Sequence, residues 1–406
     1  MTYDIVQTTF LLSIAANGAA GIKDTQTQLQ GYLEASLNGG TTPIGTQYEG
    51  FFPLMNSQLA GGDWKVVWGP CLYSVDGNNP GEATNAMYVA RSEALSTYVV
   101  AIAATNSKSF YDWGAEDFDM LPIYMAQWQP PTLPEMPFTL KPHGRWPVDN
   151  PPPAISAATA QGLSNLLKKL TDPSQGPVDK FLSKIVSNKQ SEKQTLIFCG
   201  HSLAGALSPA LALWLYSQPD KSGWKEVLVM PTAGATPGNS GFADLFNAAF
   251  RQSKSPRGNW NTNCANARDA VPHAWNRVDE IVMPADSKGF YPSLYGLICP
   301  QMGRKLYDKM RLIGGAAASG QYTNIRQSEF TPDWGYWAWT QNKDGSWQPP
   351  VWRSAPNYDD YNTALCDDSQ LRDIAQSAHV DQYSRFFGVT PPPRMPTSLP
   401  VPPPKS

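Results

Sequence analysis

A chain of 406 residues is long enough for one large α/β domain or two smaller ones. Its 31 Lys and Arg against 34 Asp and Glu leave a net charge of −3, which excludes the basic field of a nucleic-acid binder and the acidic excess of a disordered tail. The 14 Trp must fill cores or line an apolar site, and the 5 Cys contain no C-x-x-C, which excludes a zinc ribbon or a thioredoxin-type redox site.

In chain order, the apolar stretch Phe10–Ala16 follows no cationic segment and reads as a helix rather than a signal peptide. The compartment stays open. Trp64–Tyr73 and Ala86–Arg91 have strand character and are separated by a turn-rich Asp76–Gly81. Thr97–Ala103 is a continuous apolar run, the pattern of a central strand. Residues 122–153 are rich in Pro and Trp without periodicity and read as a long ordered surface loop.

Helices are expected over Ile155–Leu170 and Val178–Asn188, the second opened by Pro177. A strand ending near Gly200, a helix over Leu203–Gln218, a strand over Val227–Met230 and a helix over Phe242–Phe250 follow. Alternating strands and helices, with strands apolar throughout, predict a mainly parallel sheet covered on both faces. Residues 285–367 read as an insertion with a helix (Leu294–Leu312), a strand (Gln321–Phe330) and a hairpin around Asn342–Gly345. Leu371–Phe387 is a final helix, and 391–406 a proline-rich flexible tail. Cys199 reads as a small buried hydrophobe; Cys71, Cys264, Cys299 and Cys366 leave room for a disulfide that spacing cannot pair.

The chemistry concentrates at Gly200-His201-Ser202-Leu203-Ala204-Gly205. A buried strand meeting a Ser flanked by small residues, with a helix after it, is the layout of a nucleophile elbow. The rival is a membrane span over Leu196–Tyr216, against which stand the clustered glycines and the Ser208-Pro209 break. A Ser hydroxyl needs an imidazole to take its proton, and the imidazole needs a carboxylate. The chain has 4 His. The order Ser, acid, His removes His143; His201 adjoins the Ser and is expected to point away into the turn; His273 lies too close to any acid. That leaves His379 as base, with Asp269 as acid in competition with Asp244, Asp279 and Asp286. The alternatives are a surface ion pair of Asp269 with Arg268 or Arg277, and an exposed His379.

These residues resemble the class 3 lipase family, the fungal triacylglycerol lipase-like α/β-hydrolases, from about residue 97 to residue 387. The family elbow G-H-S-L-G-G-A resembles Gly200–Ala206, its T-F-G-x-P-x-x-G-N block resembles Thr232–Asn239, and its D-P-V-P-H block resembles Asp269–His273. The resemblance implies a triad of Ser202, Asp269 and His379. It implies an oxyanion hole from the N–H groups of Thr105 and Leu203. It also implies a lid in which Phe110, Tyr111, Trp113 and Phe118 form an apolar face, with an ordinary amphipathic helix as the alternative.

The expectation is therefore one α/β-hydrolase domain over 1–390 with an N-terminal elaboration, the insertions 122–153 and 285–367, and the tail. Its expected activity is hydrolysis of lipid-like or apolar esters through an acyl-enzyme, with transient contact at a lipid interface. No metal, no cofactor, no nucleic acid and no transmembrane segment are expected. The alternatives are a phospholipase or acyltransferase on the same scaffold, or a weakly catalytic lipid- or protein-binding module.

Overall fold

Strands covered on both faces are apolar without alternation, and three such runs, within Thr97–Ile102, Thr195–His201 and Glu226–Thr232, lie side by side in the middle of a sheet. The computed structural model describes residues 2–103, 125–130, 150–188, 191–267, 269–277, 321–331, 335–338, 351–354 and 377–390. Thr105, the segment from Phe110 to Phe118, the helix at Leu294–Leu312, the hairpin at 342–345, Asp279, Asp286, Cys299, Cys366 and the tail lie outside them.

The chain opens with helices α1 (Ile5–Ala15) and α2 (Gln26–Asn38), then strands β1 (Lys65–Tyr73), β2 (Asn85–Ser92) and β3 (Thr97–Ile102). Short strands β4 (Met125–Gln127) and β5 (Ala154–Ser156) precede α3 (Ala157–Lys168) and α4 (Val178–Ser187). Next come β6 (Thr195–His201), α5 (Leu203–Leu215), β7 (Glu226–Thr232), α6 (Ser240–Ala249) and β8 (Asn263–Asn266). Strand β9 (Gln327–Phe330), a π-helical turn (Ser377–Asp381) and α7 (Gln382–Phe387) complete the main body. The 7-stranded sheet runs β9-β8-β7-β6-β3-β2-β1. It is parallel from β9 to β3 and antiparallel from β3 to β1. This is the mainly parallel α/β-hydrolase sheet that the sequence predicts.

Successive side chains of a strand point to opposite faces, and each face has its own core. Leu196 and Phe198 of β6 lie with Val100 and Val229 under Leu166, Leu182, Leu207 and Phe242 of α3 to α6. Ile197 and Cys199 lie with Val99, Ala101, Leu228 and Met230 under Phe10 and Leu11 of α1, Leu33 of α2, and Tyr383 and Phe387 of α7. Helix α1 has no polar face and is buried along nearly its whole length. It starts earlier than its apolar run because Asp4 caps it: Asp4 Oδ1 accepts from the N–H groups of Val6 and Gln7, both at 2.9 Å, and Gln7 Oε1 accepts from Asp4 N–H.

Several sequence expectations are corrected. The strand expected over Gln321–Phe330 is confined to Gln327–Phe330, because Tyr322 forms a bridge with Asn239 instead of joining β8. The Pro- and Trp-rich stretch is not all loop: Met125–Gln127 pairs antiparallel with Ala154–Ser156. That pairing delays α3, whose cap Ser156 accepts from Thr159 N–H at 3.0 Å. The described part of the final helix begins as a π-helical turn and becomes α-helical only at Gln382. Cys71 and Cys264 carry free thiols, so neither joins a disulfide. No helix among the described residues is long and apolar enough to cross a membrane; the break expected at Ser208-Pro209 does not occur, since Pro209 lies inside a continuous α5 of 13 residues.

Phe10 is 0% exposed and lies over Phe387 with ring centroids 4.6 Å apart. Replacing it by Ala opens a cavity between α1 and α7, and Phe10→Ala is expected to lose about 3–5 kcal/mol of unfolding free energy. Urea denaturation measures this; a loss below about 1 kcal/mol would mean that α1 does not hold this face together.

Candidate active site

The end of β6 turns into α5 within one residue, and that residue is Ser202, at φ 63° and ψ −132°. A non-glycine residue in the left-handed half of the map costs about 1–3 kcal/mol and persists only where its surroundings impose it. Here they do. A Cβ on Gly200 would lie 2.3 Å from the Ala204 carbonyl oxygen and 2.7 Å from Ala204 Cβ. A Cβ on Gly205 would lie 2.5 Å from Gly234 Cα. The turn therefore closes on itself and against the loop after β7, and the small residues read from the sequence are steric requirements. Ser202 N–H donates to the Thr232 carbonyl at 3.0 Å, which ties the elbow to β7.

The Ser202 side chain makes no capping hydrogen bond to α5. Leu203 is the first residue of that helix, where N–H groups have no intrahelical acceptor and the helix dipole is positive. Its side chain packs against the cluster of Ala235, Val271 and Ala274.

Asp269 follows β8 in the loop that the sequence predicts. It is 2% exposed, and its carboxylate is fully engaged. Oδ1 accepts from Val271 N–H at 3.0 Å, and Oδ2 accepts from His379 Nδ1 at 2.8 Å and from the Tyr383 hydroxyl at 3.1 Å. His379 is 6% exposed, so it is not a surface residue of its helix. Arg277 pairs with Glu329 and Asp244 is exposed on α6, so neither rival account of the acid holds for these two residues.

Tyr383 joins the acid to the sheet. Burial, and then the negative charge of Asp269, push its phenol well above the usual range, so it keeps its proton and donates to Asp269. The same oxygen accepts from Asn266 N–H at 2.7 Å, and the Asn266 side-chain amide donates to the Ala378 carbonyl at 2.8 Å. The end of β8 thus holds both the tyrosine and the turn that carries His379. Sequence reasoning assigned no role to Tyr383 or Asn266; the available signal was that Tyr383 lies four residues after His379, on one helical face.

His201 corrects an expectation. Its ring does not point away into the elbow turn but toward the His379 turn: Nε2 donates to the His379 carbonyl at 2.7 Å, and Nδ1 lies 2.9 Å from Thr232 Oγ1. Burial, reinforced by His379, holds its pKa well below the ordinary value, so it is neutral. His273, excluded as base by its sequence position, places Nδ1 2.8 Å from the Asp269 backbone carbonyl and so braces the acid loop. Burial also lowers its pKa. Among the described residues no group of three His, Cys, Asp or Glu side chains is placed to hold a metal ion.

Both lowered histidines are neutral when folded and take up protons on unfolding below about pH 6.5. Their contribution to stability is therefore fully present above that pH and is lost as pH falls toward their folded pKa values. Unfolding free energy, measured by urea titration from pH 7.5 downward, should fall below about pH 6.5 by up to about 1.4 kcal/mol per pH unit for each. His273→Gln should reduce the slope, and a flat profile between pH 7 and 5 would contradict neutral burial.

Residues 149–278 match the family model described as lipase (class 3). No curated protein sequence matches the chain. Among solved structures, M37 lipase is 22% identical with a TM-score of 0.58, covering 95% of this chain and 94% of its own. A Rhizomucor miehei lipase propeptide complex is 15% identical with a TM-score of 0.37, over 66% of this chain and 61% of its own. MDLA of Penicillium cyclopium, in a mutant form, is 14% identical with a TM-score of 0.43, over 94% and 96%.

Proposed function

We propose that this chain, which over residues 149–278 belongs to the class 3 lipase family and so to the serine hydrolases, cleaves lipid-like or apolar carboxylic esters with Ser202, His379 and Asp269 as its triad. The observation that carries this reading is the buried 2.8 Å hydrogen bond from His379 Nδ1 to Asp269 Oδ2. With the proton on Nδ1, Nε2 of a neutral imidazole carries the lone pair that can act as the base. In the proposed cycle Ser202 Oγ attacks the ester carbonyl as His379 Nε2 takes its proton. The imidazolium forms against the Asp269 carboxylate. The tetrahedral intermediate collapses as His379 returns the proton to the leaving alkoxide. Water, activated by the same imidazole, then releases the acid from the acyl-enzyme.

The oxyanion is assigned to the N–H of Leu203 at the start of α5, with Thr105 as second donor. The apolar residues Phe110, Tyr111, Trp113 and Phe118 are assigned to a lid that meets a lipid surface. The chain is read as one domain over 1–390 with a proline-rich tail.

The test uses p-nitrophenyl esters of increasing chain length. Ser202→Ala is expected to fall by roughly 10⁶-fold in turnover, and Asp269→Asn by about 10⁴-fold through loss of the correct tautomer. A fluorophosphonate should label the wild type at Ser202 alone. Hydrolysis by Ser202→Ala at the wild-type rate removes the reading.

A further inference from the structure

We infer that His201 is a positioning residue for the proposed reaction, setting the place of the His379 imidazole through the His379 backbone. The inference rests on the triad reading above. A buried histidine is most often a satisfied core residue, and here its bonds have a specific geometry. A carbonyl oxygen only accepts, so the 2.7 Å contact with His379 requires the proton of the neutral ring to be on Nε2. Nδ1 is then an acceptor and takes the Thr232 hydroxyl proton at 2.9 Å; the alternative acceptor for that hydroxyl, the Gly200 carbonyl, is longer at 3.4 Å. The His379 carbonyl therefore fixes the tautomer, and the Thr232 hydroxyl complements it by donating to the other ring nitrogen.

The bond joins two places that the chain separates widely. His201 ends β6 and precedes the strained Ser202 in sequence, so its Cα is fixed by the same backbone that presents the Ser202 hydroxyl. His379 lies on a π-helical turn, whose hydrogen-bond pattern is looser than that of an α-helix and recurs at functional sites. On that turn, Asp269 holds His379 by the ring, Asn266 holds Ala378 by its carbonyl, and His201 holds the His379 carbonyl itself. Of the three, only His201 comes from the elbow. It sets the distance between elbow and imidazole directly, whereas Asp269 and Asn266 set it relative to β8.

The ring is itself enclosed by three other rings. Its centroid lies 4.9 Å from the His379 ring, 5.1 Å from Tyr383 edge-on and 5.9 Å from Phe10 of α1 edge-on. Phenylalanine at this position would keep those contacts and lose only the two polar bonds. Glutamine would keep a donor at about the reach of Nε2.

Wild type, His201→Phe, His201→Gln and Thr232→Val are compared by fluorophosphonate labelling rate, by kcat and KM on a soluble p-nitrophenyl ester, and by thermal melting. ¹⁵N NMR of the histidine rings is recorded alongside. A displacement of about 1 Å between reacting groups costs on the order of 10²-fold, so His201→Phe should lower kcat and labelling by about that factor with KM little changed. His201→Gln should recover most of it, and Thr232→Val should fall between. The wild-type His201 should carry its proton on Nε2. Labelling of folded His201→Phe at the wild-type rate, a Gln variant as slow as the Phe variant, or a proton on Nδ1 overturns the inference. If His201→Phe does not fold, the Gln and Val variants and the NMR tautomer decide it. A wild type that is not labelled overturns the triad reading and this inference with it; equal labelling of wild type and His201→Phe overturns this inference alone.

Discussion

The chain reverses from β6 into α5 over one residue, and the turn is too tight for side chains at the positions that face it. Ser202 consequently has a positive φ, Gly200 abuts Ala204, and Gly205 abuts Gly234 in the loop after β7. Strain of this kind needs a rigid frame. The frame is the pair β6 and β7, in parallel register from Thr195 opposite Glu226 to His201 opposite Thr232, with an apolar core on each face. The elbow adds one further tie, from Ser202 N–H to the Thr232 carbonyl. Thr232 thus serves the elbow by its backbone and His201 by its hydroxyl.

A carboxylate as deeply buried as Asp269 would be costly if left unpaired, since a buried charge loses its hydration and must recover it from hydrogen bonds. Three donors supply that recovery: Val271 N–H, His379 Nδ1 and the Tyr383 hydroxyl. The same bonds orient it. Stability and the orientation of His379 therefore come from one set of contacts, and α1 supports them from below. Gln7 of α1 donates to the Phe387 carbonyl at 2.8 Å, and Phe10 packs on both Phe387 and His201. An N-terminal helix without a polar face finds its place as the cover of the sheet face on which the His379 turn and α7 lie.

Part of this was readable from residues alone. Strands β3, β6 and β7 are apolar without alternation because both of their faces are covered, and that pattern survives in the sequence. The elbow is readable because its steric limits act on residues two positions either side of Ser202. The pairing of Asp269 with His379 was reachable because so few histidines compete and chain order removes some of them. What was missed has a common cause. The direction of the His201 ring depends on a carbonyl 178 residues away, the role of Asn266 on one 112 residues away, and that of Tyr383 on a carboxylate 114 residues away. No local pattern encodes such partners. The early end assigned to β9 failed for a similar reason, since Tyr322 bridges to Asn239 across the sheet end.

Local sterics and burial act over a few residues, so the sequence by itself determined the class of fold, the tight serine turn and the small residues around it, and narrowed the candidates for acid and base. Hydrogen bonds between distant segments form only once the sheet has brought β6, β7, β8 and the His379 turn to one edge. Only the tertiary structure decided how the acid is held, which way His201 faces, and that the turn bearing His379 is fastened both to β8 and to the elbow.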